Sequence, residues 1–355
     1  GFTTKQQGLG NTENTADFDY LNPTDLENSD YHFIGNNLAL SAENIFKITP
    51  KLSITPGIRM EVLFTNVNGY YKSDSIRYTD DRNYKRIFPL LGIGISYKAH
   101  ELAEIYGNIS QNYRGINYTD LRINNPNVRV DPNIKDEKGF NGDVGIRGKK
   151  GDKFNYDVNF FSLYYNKKVG SIQQVDSQYN IYRYKTNISN SRSIGVESFV
   201  EVDIIKCINE YSDFGTSIFT NFTFTDAKYV KSANTQIVNK EVEFAPKFIF
   251  RGGVRFKYKD FSISWQISTI SKQFTDATNA KYASTAVIGE IPTYYVMDLN
   301  ASYSYKWFKW NLSINNLSNN IYFTRRAESY PGPGIIPSDG VGVFGTMSFR
   351  WNTKQ

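Results

Sequence analysis

The chain has 355 residues, 40% of them hydrophobic and 15% aromatic, and carries a formal charge of +6. No stretch approaches the roughly 18 consecutive apolar residues of a transmembrane helix, which leaves a water-soluble protein or a closed barrel, the other architecture that satisfies its backbone in lipid. One cysteine, Cys207, excludes an internal disulfide framework, and two histidines, His32 and His100, leave no ordinary zinc site; the lack of a run of five basic residues speaks against nucleic acid.

In chain order, residues 1–36 are polar, rich in Asn, Asp and Thr without a sustained period, and read as a long loop. Alternation of period two, which sends successive side chains to opposite faces of a strand, begins at 37. Leu38, Leu40, Ala42, Phe46 and Ile48 share one parity, with Glu43 and Lys47 on the other. After Thr49-Pro50-Lys51, Leu52, Ile54, Ile58, Met60, Val62 and Phe64 oppose Thr55, Arg59 and Glu61. Leu91, Ile93, Ile95 and Tyr97 form the next oily face. Further on, Phe248, Phe250, Val254, Phe256 and Tyr258 oppose Arg251, Gly253, Arg255 and Lys257, and Phe261, Ile263, Trp265 and Ile267 alternate with serines and Gln266. The last strand sets Val341, Val343, Met347, Phe349 and Trp351 against Thr346, Ser348 and Arg350, and 352–355 form a short tail. About thirteen strands result, near 37–48, 52–66, 88–97, 102–114, 139–149, 154–168, 183–202, 213–226, 244–258, 261–273, 293–305, 310–323 and 341–351.

The wet parity takes Arg, Lys, Asp and Glu freely, and the oily parity takes none. A lipid-facing Arg or Lys costs roughly 2–4 kcal/mol at the bilayer midplane, so the asymmetry predicts an all-β fold, a transmembrane antiparallel β-barrel. Connection lengths point the same way. Short turns at 49–51, 98–101, 149–153, 259–260 and 306–309 alternate with long polar loops at 67–87, 115–138, 169–182, 227–243, 274–292 and 324–340; the one longer turn on the short side is 203–212. Outer-membrane barrels segregate connections by end in this way, and a soluble sandwich has no reason to. Thirteen strands is odd for a bacterial barrel, and an open sheet would leave unpaired edges in lipid. Residues 37–351 are therefore expected to be the C-terminal part of a larger barrel. No catalytic arrangement emerges: Ser110 and Ser191 lack a partner His, and Asp80-Asp81 reads as a solvated loop pair.

Several stretches resemble TonB-dependent outer-membrane receptors. Asn316-Leu317-Ser318-Asn319-Asn320-Ile321-Tyr322 is similar to their Asn-Leu-x-Asp-x-x-Tyr stretch near the end, with Asn319 where Asp is usual. Asp136-Glu137-Lys138-Gly139-Phe140, Ser191-Arg192-Ser193-Ile194-Gly195-Val196-Glu197, Pro56-Gly57-Ile58-Arg59-Met60-Glu61 and Ser110-Gln111-Asn112-Tyr113-Arg114 also have counterparts there, so the resemblance covers essentially all of 30–351. The stretch from Tyr322 to Pro337, with Arg325 and Arg326, looks like the last extracellular loop of the ferric-dicitrate branch. Asn117-Tyr118-Thr119-Asp120 and Gln273-Phe274-Thr275-Asp276-Ala277 fit the same branch.

The resemblance implies about thirteen C-terminal strands of a 22-stranded barrel, with 1–36 as an extracellular loop and the plug and TonB-contacting segment outside these residues. It implies a place in the Gram-negative outer membrane against lipopolysaccharide, and import of a ferric chelate, ferric citrate first, by loop closure and TonB-driven plug rearrangement. It implies no enzyme and no cofactor, since the iron travels as a chelate bound as ligand. An anionic chelate whose iron is already coordinated needs charge-assisted donors, and the planar Arg fork matches a carboxylate. The candidates are Arg59, Arg114, Gln178, Arg325 and Arg326. For each arginine the plain alternative is an ion pair with Glu61, Glu197 or a plug carboxylate; for the Arg325–Pro337 loop it is a stiff tip set by prolines and glycines. The basic excess suits an anionic ligand or lipopolysaccharide phosphates, or is scattered solvated Lys and Arg. The alternative cargo is an oligosaccharide or peptide, for which Tyr70-Tyr71, Tyr78, Tyr84 and the tyrosines of 179–184 would be aromatic platforms.

Overall fold

The computed structural model describes residues 2–8, 29–73, 76–121, 123, 128–232, 234–283, 287–327 and 334–350. Within them one sheet forms a wall whose strands follow chain order. These are β1 (Phe2–Gly8), β2 (Ser29–Glu43), β3 (Leu52–Ser73), β4 (Ile76–His100), β5 (Ala103–Arg114), β6 (Glu137–Lys150) and β7 (Phe154–Val175). The wall continues with β8 (Ile181–Asp203), β9 (Phe214–Lys231), β10 (Phe248–Tyr258), β11 (Phe261–Ile270), β12 (Tyr294–Tyr305), β13 (Phe308–Asn315) and β14 (Gly342–Phe349). Each pairs antiparallel with the next, from Phe2↔Gly35 to Asn315↔Gly342. Among the described residues β1 and β14 do not pair, so the wall is open rather than a closed barrel.

The oily parity faces outward. Leu38, Leu40, Ile58, Met60, Ile93, Ile95, Phe160, Val254, Val343 and Met347 are all exposed, Leu40 at 79% and Met347 at 65%. A continuous apolar band of this kind exceeds what a monomeric soluble protein presents to water and is what a lipid-facing barrel requires. The inner parity joins adjacent and next-but-one strands by polar contacts. Ser96 Oγ donates to Glu104 at 2.7 Å, Tyr106 OH to Asp157 at 2.6 Å, Ser110 Oγ to Asn141 at 2.9 Å and Gln266 Nε2 to Asp298 at 3.1 Å. Inward aromatics lie across inward glycines: a Cβ on Gly253 would come within 2.8 Å of the Phe219 ring and 2.4 Å of the Trp265 carbonyl oxygen.

At the short-turn end, strands reverse through Gly151, Lys259 and Lys306, all at positive φ. The longer 203–212 turn contains a helical turn, Ile204–Ile208, capped by Asp203, which accepts from the Lys206 N–H at 2.8 Å. The opposite end departs from the sequence reading. Residues 1–36 are not one loop, because Phe2–Gly8 and Ser29–Gly35 pair as strands; residues 9–28 lie outside the described set, as do Trp351 and the 352–355 tail. The loops expected at 67–87 and 169–182 are largely two-stranded ribbons, which gives β3, β4, β7 and β8 lengths of 22, 25, 22 and 23 residues. A crossing takes about 9–11 residues. Above it both faces of a ribbon meet water, so the ladder continues while the hydrophobic alternation that betrays a strand stops. The last expected loop likewise holds a small hairpin, Phe323–Ala327 with Gly334–Pro337.

Candidate functional site

Two groups of buried side chains gather where the long connections fold against the wall. In the first, residues 115–136 carry a short helix, Tyr118–Leu121, and a strand, Val128–Val130, that pairs parallel to Arg183–Lys185 of β8. Ile116, Leu121, Ile123, Val130 and Ile134 from this segment pack on Tyr31, Phe33 and Val67 of β2 and β3. Ionic contacts pin the segment at both ends. Arg114 Nη1 lies 2.8 Å from Glu137 Oε1 and its Nη2 2.6 Å from Asp120 Oδ1. Glu137, 2% exposed, also accepts from the Val169 N–H at 2.9 Å. Asp136 faces Arg86 Nε at 3.2 Å and accepts from the Ile116 N–H at 2.8 Å and from Tyr113 OH. Farther out, Arg129 reaches Asp176 of the β7–β8 tip at 3.0 Å and lies over the Tyr182 ring. The segment fastens three hairpins together like a clasp.

In the second group, Tyr229, Ile237, Val242 and Ala277 pack with Ile188 and Ala227. Here the ties run mostly through backbone: the Phe244 N–H donates to Phe274 O at 2.9 Å, and Asn279 exchanges two bonds with the Glu241 backbone, at 2.7 and 2.9 Å. Arg326 Nη2 donates to the Glu290 carbonyl at 3.1 Å and crosses Gly289 so closely that a Cβ there would sit 2.8 Å from Arg326 Cζ.

The five candidate residues are therefore in different situations. Arg59 pairs with Glu61 on the inner wall, the plain alternative weighed above. Arg114 is held by two carboxylates within the clasp. Gln178 is exposed at the β7–β8 tip, where its N–H donates to Asp176 at 3.0 Å. Arg326 is packed, and Arg325 beside it is exposed, with no carboxylate partner among the described residues. No hydrogen bond or ion pair joins Arg59, Arg114 and Gln178 to one another; they occupy β3, β5 and the β7–β8 tip. Pro331 and Pro333, the expected stiffeners of the last loop, lie outside the described residues.

A cavity of about 320 Å³ on the inner wall, lined by Glu61, Arg86, Leu63, Phe88, Tyr113 and Asn117 among others, has no signature in the residue pattern. Glu61 Oε2 and Arg86 Nη1 are buried there without a hydrogen-bond partner among the described residues. An unsatisfied buried polar atom costs about 1–3 kcal/mol, so the cavity suits a guest with one donor and one acceptor. Glu61 is readable as a wet-face residue, but Arg86 falls in the loop expected at 67–87, and only the register, with Leu63 opposite Arg86 and Glu61 opposite Phe88, makes them diagonal neighbours.

With this geometry the chain matches the family of TonB dependent receptor-like β-barrels over residues 2–317, and it belongs to that family. Barrels of the family are outer-membrane proteins and transporters rather than enzymes. Solved structures with the same fold include the ferric citrate transporter FecA in its unliganded form (17% identity, 90% of this chain and 46% of that one, TM-score 0.71). They also include the siderophore receptor PiuA from Acinetobacter baumannii (19%, 91% and 44%, 0.67) and the ferric yersiniabactin uptake receptor FyuA from Yersinia pestis (14%, 91% and 47%, 0.71). The chain spans a little under half the length of each. No curated protein matches it by sequence.

Proposed function

We propose that the chain is the wall of an outer-membrane receptor that imports a ferric chelate, ferric citrate in the first instance, with TonB supplying the work through a segment outside these residues. The observation that carries this reading is the contrast between Arg325 and the wall arginines. Arg59, Arg86 and Arg114 are each committed to a carboxylate, whereas Arg325 is exposed on the last long connection with none among the described residues. A carboxylate-rich chelate needs an uncommitted guanidinium, and Arg326, fixed across Gly289, holds the neighbouring backbone in place. Likeness to structures of a ferric citrate transporter and of siderophore receptors supports the cargo class at the level of fold.

The test is a titration of the full-length receptor in detergent with ferric citrate, iron-free citrate and an unrelated ferric siderophore. Saturable binding of ferric citrate alone is expected, and Arg325→Ala with Arg326→Ala together should weaken it by tenfold or more while heat-modifiable migration stays intact. Unchanged affinity in a folded double variant would remove these residues from the site. Failure of all three ligands would favour the oligosaccharide or peptide cargo, for which Tyr179 and Tyr282, 88% and 85% exposed, are the available ring faces.

A further inference from the structure

The cavity beside the clasp holds charge that is balanced and hydrogen-bonding capacity that is not. Glu61 gives one carboxylate oxygen to Arg59, while Arg86 faces Asp136 through Nε at 3.2 Å and donates from Nη2 to Thr65 Oγ1 at 3.0 Å. Two cations therefore meet two carboxylates, with no net charge left over. Glu61 Oε2 and Arg86 Nη1 nonetheless have no hydrogen-bond partner among the described residues, on side chains only 9% and 12% exposed. One is an acceptor and the other a donor. As diagonal neighbours on the β3–β4 ladder their backbones lie about 7–8 Å apart. The rest of the lining is largely apolar: Leu63, Phe88 and Tyr113 border the same space, and the Phe88 and Tyr113 rings are 3.8 Å apart at their centroids. Gly115, the first residue of the clasp, closes one side. A Cβ there would stand 3.2 Å from Arg86 Nη2 and 3.5 Å from both Leu63 Cδ1 and Tyr113 Cε1.

We propose that this cavity binds an uncharged amide carried on an apolar body, a guest separate from the ferric chelate. An amide offers an N–H to Glu61 Oε2 and a C=O to Arg86 Nη1, and brings no charge. An anion would meet Glu61 and Asp136, and an ammonium would meet Arg59 and Arg86, each upsetting a balance the wall already has. A zwitterion matches both atoms but surrenders the hydration of two full charges, a far larger loss than that of an amide. Water also serves both atoms but leaves Leu63 and the two rings wet, whereas an apolar body covers them. A volume of about 320 Å³ lies at the low end of small-molecule sites, so the body is about the size of a single ring.

The full-length receptor in detergent is titrated with benzamide, benzoate, benzylamine and acetophenone, one ring with different polar edges, and binding is followed by saturation-transfer NMR. Benzamide should saturate. The anion, the ammonium and acetophenone, which accepts without donating, should each bind about tenfold more weakly or worse, the worth of one hydrogen bond to a charged group. Glu61→Gln sets an N–H against the N–H of the guest and should weaken benzamide about tenfold. Gly115→Ile fills the space without removing either polar atom and should abolish benzamide binding. Excess ferric citrate should leave benzamide bound. The proposal is overturned by absence of saturable benzamide binding, by equal binding of benzamide and acetophenone, or by equal signal in wild type and Gly115→Ile, which is partition into the micelle. Displacement by ferric citrate overturns it too, because the cavity would then belong to the chelate site. Should Gly115→Ile fail to fold, the comparison of benzamide with acetophenone on the wild-type protein carries the test.

Discussion

The two groups of long connections are built by different means. The clasp at 115–136 is fastened by charge: Arg114 with Glu137 and Asp120, Arg86 with Asp136, Arg129 with Asp176. The connections between β9 and β14 rest mainly on backbone hydrogen bonds and the Asn279 amide, with Lys247–Glu241 and Lys272–Glu290 as their ion pairs, and they leave Arg325 exposed. Buried ion pairs are poor places to find a ligand donor, because a charge withdrawn from its partner leaves the partner uncompensated. The first group is therefore scaffold. The second leaves Arg325 open to something outside the chain.

The sharpest way to break this contrast is within the clasp. Arg114→Leu should leave Glu137 buried without its cation, at a cost of about 3–5 kcal/mol. The expected result is faster proteolysis between 115 and 136 and a lower unfolding midpoint, with Arg114→Leu/Glu137→Leu less damaging than the single change. If the single variant keeps wild-type protection, the clasp is held by its apolar cluster alone. A smaller effect is expected on the other side. Gly289→Val would place a side chain 2.8 Å from Arg326 Cζ and 2.9 Å from the Lys281 carbonyl oxygen, an overpacking strain of about 1–3 kcal/mol. Ferric citrate affinity should fall while the 115–136 segment keeps its protection; loss of protection there would mean that the two groups are one mechanical body.

The sequence announced the wall and hid what decorates it. Inside the bilayer the oily and wet parities differ in chemistry, so strands such as β4, β10 and β11 could be read from residue type alone. Above it the ribbons of β3–β4 and β7–β8 are wet on both faces and leave no such trace. Arg114 was readable as a strand-end arginine, but its two carboxylates come from six and 23 residues away, and only folding brings them together. The Asn316–Tyr322 stretch shows the same limit. It was legible as a motif, yet its role is structural: Asn316 donates to Asn320 O at 2.9 Å and Asp339 O at 3.2 Å, and Asn320 donates to Tyr295 O at 2.8 Å, tying the exit of β13 to its neighbours.

The gentlest test of the scaffold lies at the β7–β8 tip. The Asn180 backbone N–H, then that of Gln178 and the Arg129 guanidinium, hold the Asp176 carboxyl below its ordinary pKa. A carboxylate with a lowered folded pKa contributes order that is fully present above its unfolded value and lost as pH falls through the folded one. Amide exchange at Gln178 and Asn180 should therefore stay slow through neutral pH and, once corrected for intrinsic rates, quicken only in acid, below the range where a free Asp protonates. Asp176→Ala should remove the pH dependence and leave both amides fast throughout. The Arg129 contact makes the same titration a report on the clasp, because the strand at Val128–Val130 reaches the tip through that pair. If acid frees the tip amides while exchange along Arg183–Lys185 is unchanged, the tip is a local turn resting on the scaffold. If both quicken together, the charge at Asp176 is the outermost pin of the clasp.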